Sequence, residues 1–209
     1  MKIGIIGSGH IGGALTRRFT GLGHDVTVAN SRGPETLKEL AGETGASAGT
    51  AEEAATSSDV VVIAVPLRAV PDLPAAAFQN KIVVDANNYY PQRDGRIAAI
   101  ADDGVTSSRW TAEQLPGARV VKAFNTIYAG HLLERGVPVG QADRIALPVA
   151  ADDAEAKQVV LGLVDELGFD PVDAGALDES WRQEPGTPVY GADRDASGVR
   201  EGIAAAQRS

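Results

Sequence analysis

No cysteine occurs in the 209 residues, which excludes disulfides, thiol catalysis and thiolate-held zinc or iron–sulfur centres. The three histidines, His10, His24 and His131, lie far apart with no ligand spacing, so no metal site is expected. Long apolar runs are missing too. No stretch approaches the ~20 residues of a membrane span, and the N-terminus reads as a core strand, not a signal peptide. The expectation is a cytoplasmic protein with no membrane partner. Basic charge is scarce: 19 Lys and Arg stand against 28 Asp and Glu, a formal net charge of −9. Nucleic-acid phosphates demand a basic face, so nucleic acid is not an expected partner either. The length suits one domain, alone or with a short appendage.

What is present is concentrated near the start. Lys2-Ile3-Gly4-Ile5-Ile6 reads as a buried strand that runs straight into Gly7-Ser8-Gly9-His10-Ile11-Gly12. Ile11, Leu15, Phe19 and Leu22 then recur at the spacing of one helix face, and Gly23 supplies the stop. A strand, a glycine turn and a helix in that order hold a dinucleotide pyrophosphate. Gly7 permits the turn, Gly9 lets backbone approach the phosphates, and Gly12 lets the helix lie on the sheet. Free N–H groups at the helix start then face the anion, with Ser8, His10 and Ile11 beside it. A second apolar run ends in Asn30-Ser31-Arg32. NAD enzymes usually place a carboxylate there for the ribose hydroxyls. A serine, a guanidinium and no acid suit the extra 2′-phosphate of NADP(H), with Lys38 a turn further on as a point charge.

Strand patterns at 25–29, 59–65, 81–85, 119–122, 144–150 and 169–172 alternate with helical ones. The helices are expected at 34–43, 50–56, 96–101, 112–115, 127–134 and from a cap at Asp152 through Leu167. Such alternation predicts an α/β fold, a Rossmann-type doubly wound parallel sheet covered on both faces. Residues 1–175 are expected to form the nucleotide domain. Residues 176–209, rich in proline and glycine and ending in a helix-like stretch without a strong apolar face, form an appendage or strap.

Ligands in such sheets lie beyond the carboxyl ends of the strands. The segments 8–11, 30–32, 65–68, 86–90 and 123–127 are therefore site candidates, and none contains an acid. Ala64-Val65-Pro66 offers an apolar, proline-fixed wall for the cofactor, or simply ends a strand. Asn87 and Asn88 can hydrogen-bond a nicotinamide amide or a carbonyl substrate, and Tyr89 can stack on a flat ring; asparagine after a strand is also plain turn chemistry. Ala123, Asn125 and Thr126 fall near the nicotinamide end, although Asn125 can instead cap the next helix. Trp181 begins a segment, 181–190, that either folds back as a lid on the cofactor or forms a surface strap. No catalytic acid or base is assigned: Lys122 could act only if its side chain turned outward from the strand end.

The glycine turn, Ala29-Asn30-Ser31-Arg32-Gly33, Ala64-Val65-Pro66 and Lys122-Ala123-Phe124-Asn125-Thr126 together resemble the family of NADPH-dependent F-420 (deazaflavin) reductases, over about the first 175 residues. That resemblance implies a Rossmann domain with a small C-terminal appendage, often dimeric. It also implies that Ser31 and Arg32 hold the 2′-phosphate, that Ala123 and its neighbours meet the carboxamide, and that a deazaflavin stacks over the nicotinamide. No deazaflavin-contacting set can be matched residue by residue. The leading expectation is hydride transfer between NADP(H) and a flavin-like acceptor, coenzyme F-420 or a flavin, which needs alignment more than proton chemistry. The rivals are an NADPH-dependent imine or carbonyl reductase with Tyr89 or Tyr90 as proton donor, and a non-enzymatic NADP(H) sensor.

Overall fold

Parallel strands covered on both faces need apolar residues at every position, and Val60–Ile63 is buried throughout. The computed structural model describes residues 1–208. In chain order the elements are β1 (Lys2–Ile6), α1 (His10–Gly21), β2 (Asp25–Ala29), α2 (Lys38–Thr44), β3 (Ser47–Gly49), α3 (Ala51–Thr56), β4 (Val60–Ile63) and β5 (Ile82–Asp85). They continue with α4 (Pro91–Asp94), α5 (Ala98–Ala101), α6 (Ser107–Gln114), β6 (Arg119–Lys122), α7 (Ala129–Glu134), β7 (Ala146–Ala151), α8 (Ala154–Glu166), β8 (Asp170–Asp173) and α9 (Ala196–Ala205). Short 3-10 turns at Pro34–Leu37, Leu67–Asp72, Ala75–Phe78 and Leu177–Gln183 fill connections.

The strands form one sheet in the order β3-β2-β1-β4-β5-β6-β7-β8. This is the expected Rossmann-type α/β sheet. The order reverses between β1 and β4, and the crevice at such a switch point is where ligands bind. All pairings are parallel except β6 with β7. One face packs Leu15, Phe19, Leu132, Leu163 and Phe169 from the α1, α7 and α8 side. The other packs Ala54, Leu67, Phe78, Leu115 and Leu177.

Several local expectations are corrected. The helix expected at 34–43 divides into a 3-10 turn and α2, and the edge strand β3 was not anticipated. Leu22 lies past the end of α1 and is 41% exposed, whereas Leu15 and Phe19 are fully buried. The cap of α8 is Asp153, which accepts from the Ala156 N–H at 2.9 Å. Asp152 instead pairs with Arg109 at 2.7 Å and accepts from the Leu177 N–H. The helix expected at 112–115 begins earlier, at Ser107 behind a Thr106 cap. The C-terminal stretch does find an apolar partner: Val199 and Ile203 of α9 join Ala146, Val172 and Val189.

Candidate functional site

The glycine turn does what its spacing demands. Gly7 sits at φ +110°, where a Cβ would also collide with the Ala64 carbonyl. A Cβ on Gly12 would strike the Gly7 carbonyl oxygen, so α1 can approach β1 this closely only with glycine there. Gly9 is the opposite case: nothing lies within 4 Å of the Cβ position, leaving space over the start of α1. The first turn of α1 carries no acid, so its N–H groups and dipole are available to an anion.

At the end of β2 the expected residues divide. The Asn30 amide is committed: Nδ2 donates to Ser8 Oγ at 3.1 Å and to Thr36 Oγ1 at 3.0 Å, while Oδ1 accepts from the Arg32 N–H at 2.9 Å. Asn30 is thus a brace that ties the second turn to the glycine turn. Ser31 and Arg32 are exposed. Arg32 forms no ion pair among the described residues and lines a groove of about 600 Å³ with Ser8, His10 and Thr36. That groove extends over α1 toward α2 and α7, where Arg17 and Glu43 pair at 2.7 Å. Lys38 is exposed and does not line the groove. It starts α2, and its neighbour Leu37 takes the inward position.

A second cavity, about 270 Å³, joins the first at Gly9 and His10 and lies at the carboxyl ends of β4, β5 and β6. Ile11, Ala64, Val65 and Pro66 form one wall; Asn87, Asn88, Phe124 and Asn125 form another. Phe124 is fully buried yet has φ +62°. A bulky residue in the left-handed region stores backbone strain, and such outliers cluster at functional sites. Ala123, also fully buried, sits in the core behind it and does not line the cavity.

The asparagines separate by role. Asn87 is 3% exposed; its Oδ1 accepts from the Val65 N–H at 2.8 Å, and its Nδ2 has no partner. A buried amide N–H₂ without an acceptor is costly, and this one belongs to a residue lining the cavity. Asn125 is spent internally. Its Nδ2 donates to Asn88 Oδ1 at 3.0 Å and to the Gln183 carbonyl at 2.7 Å, and its Oδ1 accepts from Gln183 Nε2. Asn88 Nδ2 in turn donates to the Asn125 carbonyl. Neither capping by Asn125 nor a free amide there is seen, since α7 begins behind Tyr128. The pair instead clamps the β5 and β6 ends to the C-terminal strap.

Three expected substrate residues face elsewhere. The Tyr89 hydroxyl donates to the Gly95 carbonyl and accepts from the Ile97 N–H, away from the cavity. Thr126 is buried off the cavity, and its carbonyl accepts from the Gly191 N–H at 2.9 Å. Trp181 lines a separate pocket of about 190 Å³ with Thr106 and Glu184, its ring under the Arg182 and Arg208 guanidiniums. The strap does reach the site, but through Gln183 and Tyr190. Lys122 does not turn outward. It is fully buried, with Nζ donating to the Asn87 carbonyl at 2.5 Å and to Ser107 Oγ at 3.2 Å, and lying 3.5 Å from Asp85 Oδ2. It holds the floor beneath Asn87.

Tyr90, expected within 86–90 and as a proton donor in the rival reading, lines the second cavity. So do Tyr190, at the end of the 181–190 segment, and Arg93, which no expectation included. The Tyr90 and Tyr190 hydroxyls hydrogen-bond each other. Burial, then the Tyr90 hydroxyl, pushes the Tyr190 phenol above the ordinary tyrosine range. Arg93 lies over the Tyr90 ring at 4.9 Å and donates to the Asn88 carbonyl at 2.7 Å. Extended backbone sends adjacent side chains to opposite faces, so only one of Tyr89 and Tyr90 could face the cavity. Tyr190 closes the 181–190 segment expected as a lid or strap, but within it the sequence singles out Trp181 and not Tyr190.

Fold and crevice define a dinucleotide-binding protein of the Rossmann class. Residues 2–89 match the family model of NADP oxidoreductases, coenzyme F420-dependent. The F420-dependent NADP reductase of Methanothermobacter thermautotrophicus is 31% identical over 208 residues, covering 90% of this chain and 87% of that protein. The chain belongs to this oxidoreductase family. Rat metalloreductase STEAP3 is 33% identical over 84% of this chain. The chain spans only 34% of the length of STEAP3 and 44% of that of Escherichia coli YjhV, a further relative. Among solved structures, the hypothetical protein SMa0349 from Sinorhizobium meliloti superposes with a TM-score of 0.80 at 34% identity, covering 93% of this chain and 94% of that one. No helix of the described residues is long and apolar enough to cross a membrane.

Proposed function

We propose that this protein is an NADPH-dependent reductase that passes hydride between NADP(H) and a flavin-like acceptor, with the deazaflavin coenzyme F-420 as the first candidate. The observation that carries the reading is the pairing of an open phosphate cradle with an uncommitted guanidinium. Gly9 leaves the start of α1 uncovered, and Arg32, unpaired among the described residues, stands at the adjoining groove. Nucleotide of this kind fits the residues present. Gly7 to Gly12 would hold the diphosphate by backbone N–H groups, and Ser31 and Arg32 the 2′-phosphate. Ala64, Val65 and Pro66 would pack against it, and the unsatisfied Nδ2 of Asn87 would donate at the nicotinamide end. Bound there, the cofactor supplies the hydride. The protein's own part is to orient that ring within the second cavity and to exclude water with Phe124, Ile127 and Pro66.

Mixing the purified protein with NADPH and oxidised deazaflavin and following both absorbance bands tests this. Coupled loss of the two bands is expected; no change in either would refute the acceptor. A second reading, imine or carbonyl reduction, is favoured by one observation, the Tyr90 hydroxyl on the cavity wall. A panel of cyclic imines and small ketones separates it from the first.

A further inference from the structure

The second cavity is almost free of groups that can move a proton. Its titratable lining residues are His10, Tyr90, Arg93 and Tyr190. His10 is exposed at the first turn of α1, on the side shared with the phosphate groove. Arg93 is committed to the Asn88 carbonyl and to Asp94, at 2.9 Å from its carboxylate. The two tyrosines remain. They come from distant parts of the chain, Tyr90 just after β5 and Tyr190 from the C-terminal strap, and their hydroxyls meet directly. The strap is held in register for this contact by the Gly191 N–H on the Thr126 carbonyl and by Gln183 on Asn125.

We infer that the Tyr90–Tyr190 hydroxyl pair is the proton source for the reduced acceptor. The inference rests on the hydride-transfer reading above and deepens it by naming the acceptor chemistry: a carbon conjugated to a nitrogen that becomes basic when hydride arrives. A deazaflavin ring and a cyclic imine share that chemistry. In the step, hydride adds to the electrophilic carbon and the π electron pair moves to nitrogen. The N–H bond forms as the Tyr90 O–H bond breaks. The Tyr190 hydroxyl donates a hydrogen bond to the Tyr90 phenolate left behind, and solvent reprotonates Tyr90. The sum is NADPH, acceptor and one proton giving NADP⁺ and the dihydro acceptor. The Arg93 guanidinium, 4.9 Å from the Tyr90 ring centroid, offsets the transient negative charge on that phenol. Tyr190, its ionisation pushed up by burial, keeps its own proton and can hold that hydrogen bond through the step. The other groups facing the pair are Tyr128, near Tyr190, and Asp94, whose carboxylate accepts from the Tyr90 N–H.

The test uses Tyr90→Phe and Tyr190→Phe, which keep the rings and remove the hydroxyls. NADPH affinity by fluorescence titration is expected to stay within about twofold. Turnover with either acceptor is expected to fall about 100-fold in Tyr90→Phe, the scale of a lost general acid, and to recover as a buffer acid such as imidazolium is added. Alkaline difference absorbance supplies a readout independent of activity: the late-ionising phenol of the wild type should vanish in Tyr190→Phe and move toward the ordinary tyrosine range in Tyr90→Phe. Undiminished turnover in Tyr90→Phe, or a loss that buffer acid does not restore, would overturn the donor role while leaving the reductase reading intact. A late-ionising phenol that keeps its wild-type midpoint in Tyr90→Phe would overturn the pair itself. Wild type that binds NADPH but reduces neither acceptor would overturn both readings together.

Discussion

Replacing Arg32 with alanine isolates the choice between the two nicotinamide nucleotides. The side chain has no ion-pair partner among the described residues and is exposed, so its removal should leave stability within about 0.5 kcal/mol of wild type. The Arg32 backbone N–H on Asn30 Oδ1 is retained in the variant, and the turn keeps its shape. What is lost is one charge-assisted interaction with a phosphate, worth about 1.5–3 kcal/mol. At 1.4 kcal/mol per decade this is a weakening of about 10- to 100-fold, toward the lower figure because the site is solvated and screened by salt. NADH has no 2′-phosphate, so its affinity should hardly move. Parallel fluorescence titrations of wild type and Arg32→Ala with NADPH and NADH, at two salt concentrations, read the difference directly. The preference for NADPH should collapse in the variant and should decline with salt in the wild type. Equal losses for both nucleotides, or no loss for either, would refute a phosphate-binding role for Arg32.

Gly9→Ala should keep the wild-type melting temperature, because Gly9 has φ −73° and open space at its Cβ. It should still weaken both nucleotides by about tenfold or more, since a methyl group then stands in the phosphate cradle. Gly12→Ala should instead destabilise the fold by about 1–3 kcal/mol or more, as α1 is pushed off β1; an unchanged urea midpoint would contradict the packing described. Lys122→Met leaves the fully buried Asp85 without its cation, at a cost of about 3–5 kcal/mol, and adding Asp85→Asn should restore part of it; a loss under about 1 kcal/mol in the single variant would contradict this. Acid should destabilise the protein through carboxylates that the fold holds ionised. The Arg119 guanidinium, then the Ala156 N–H, keeps Asp153 well below the usual carboxylate range. Such a group contributes stability above its unfolded value, near about pH 4, and loses that contribution as pH falls toward the folded one. The decline in melting temperature below about pH 4 should be shallower in Asp153→Asn, and an identical acid limb would count against the pair.

What could be read from sequence was what local geometry dictates. The β1–turn–α1 unit was legible because each glycine answers a steric demand within a few residues, as Gly7 and Gly12 do. β4 was legible because burial on both faces requires an unbroken apolar run. β3 was not: Ser47-Ala48-Gly49 carries no strand signature and is a strand only because β2 pairs with it. The caps slipped by one residue, from Asp152 to Asp153, since adjacent acids look alike until Arg109 claims one and Arg119 the other. Asn125 and Asn88 were visible as polar residues at strand ends, but their saturation by Gln183 and by each other depends on the path of the strap. Trp181 stood out by type alone, and its partners are Arg182 and Arg208. Tyr190 reaches the cavity a hundred residues after Tyr90 through hydrogen bonds that no local pattern encodes.

A crystal structure of the protein grown with NADP⁺ tests the central claim most directly. The expected density has the diphosphate over Gly9 at the start of α1, the 2′-phosphate on Ser31 and Arg32, and the nicotinamide in the cavity bounded by Asn87, Phe124 and Tyr190. An empty crevice at saturating nucleotide, or an adenosine end lying away from Arg32, would contradict it.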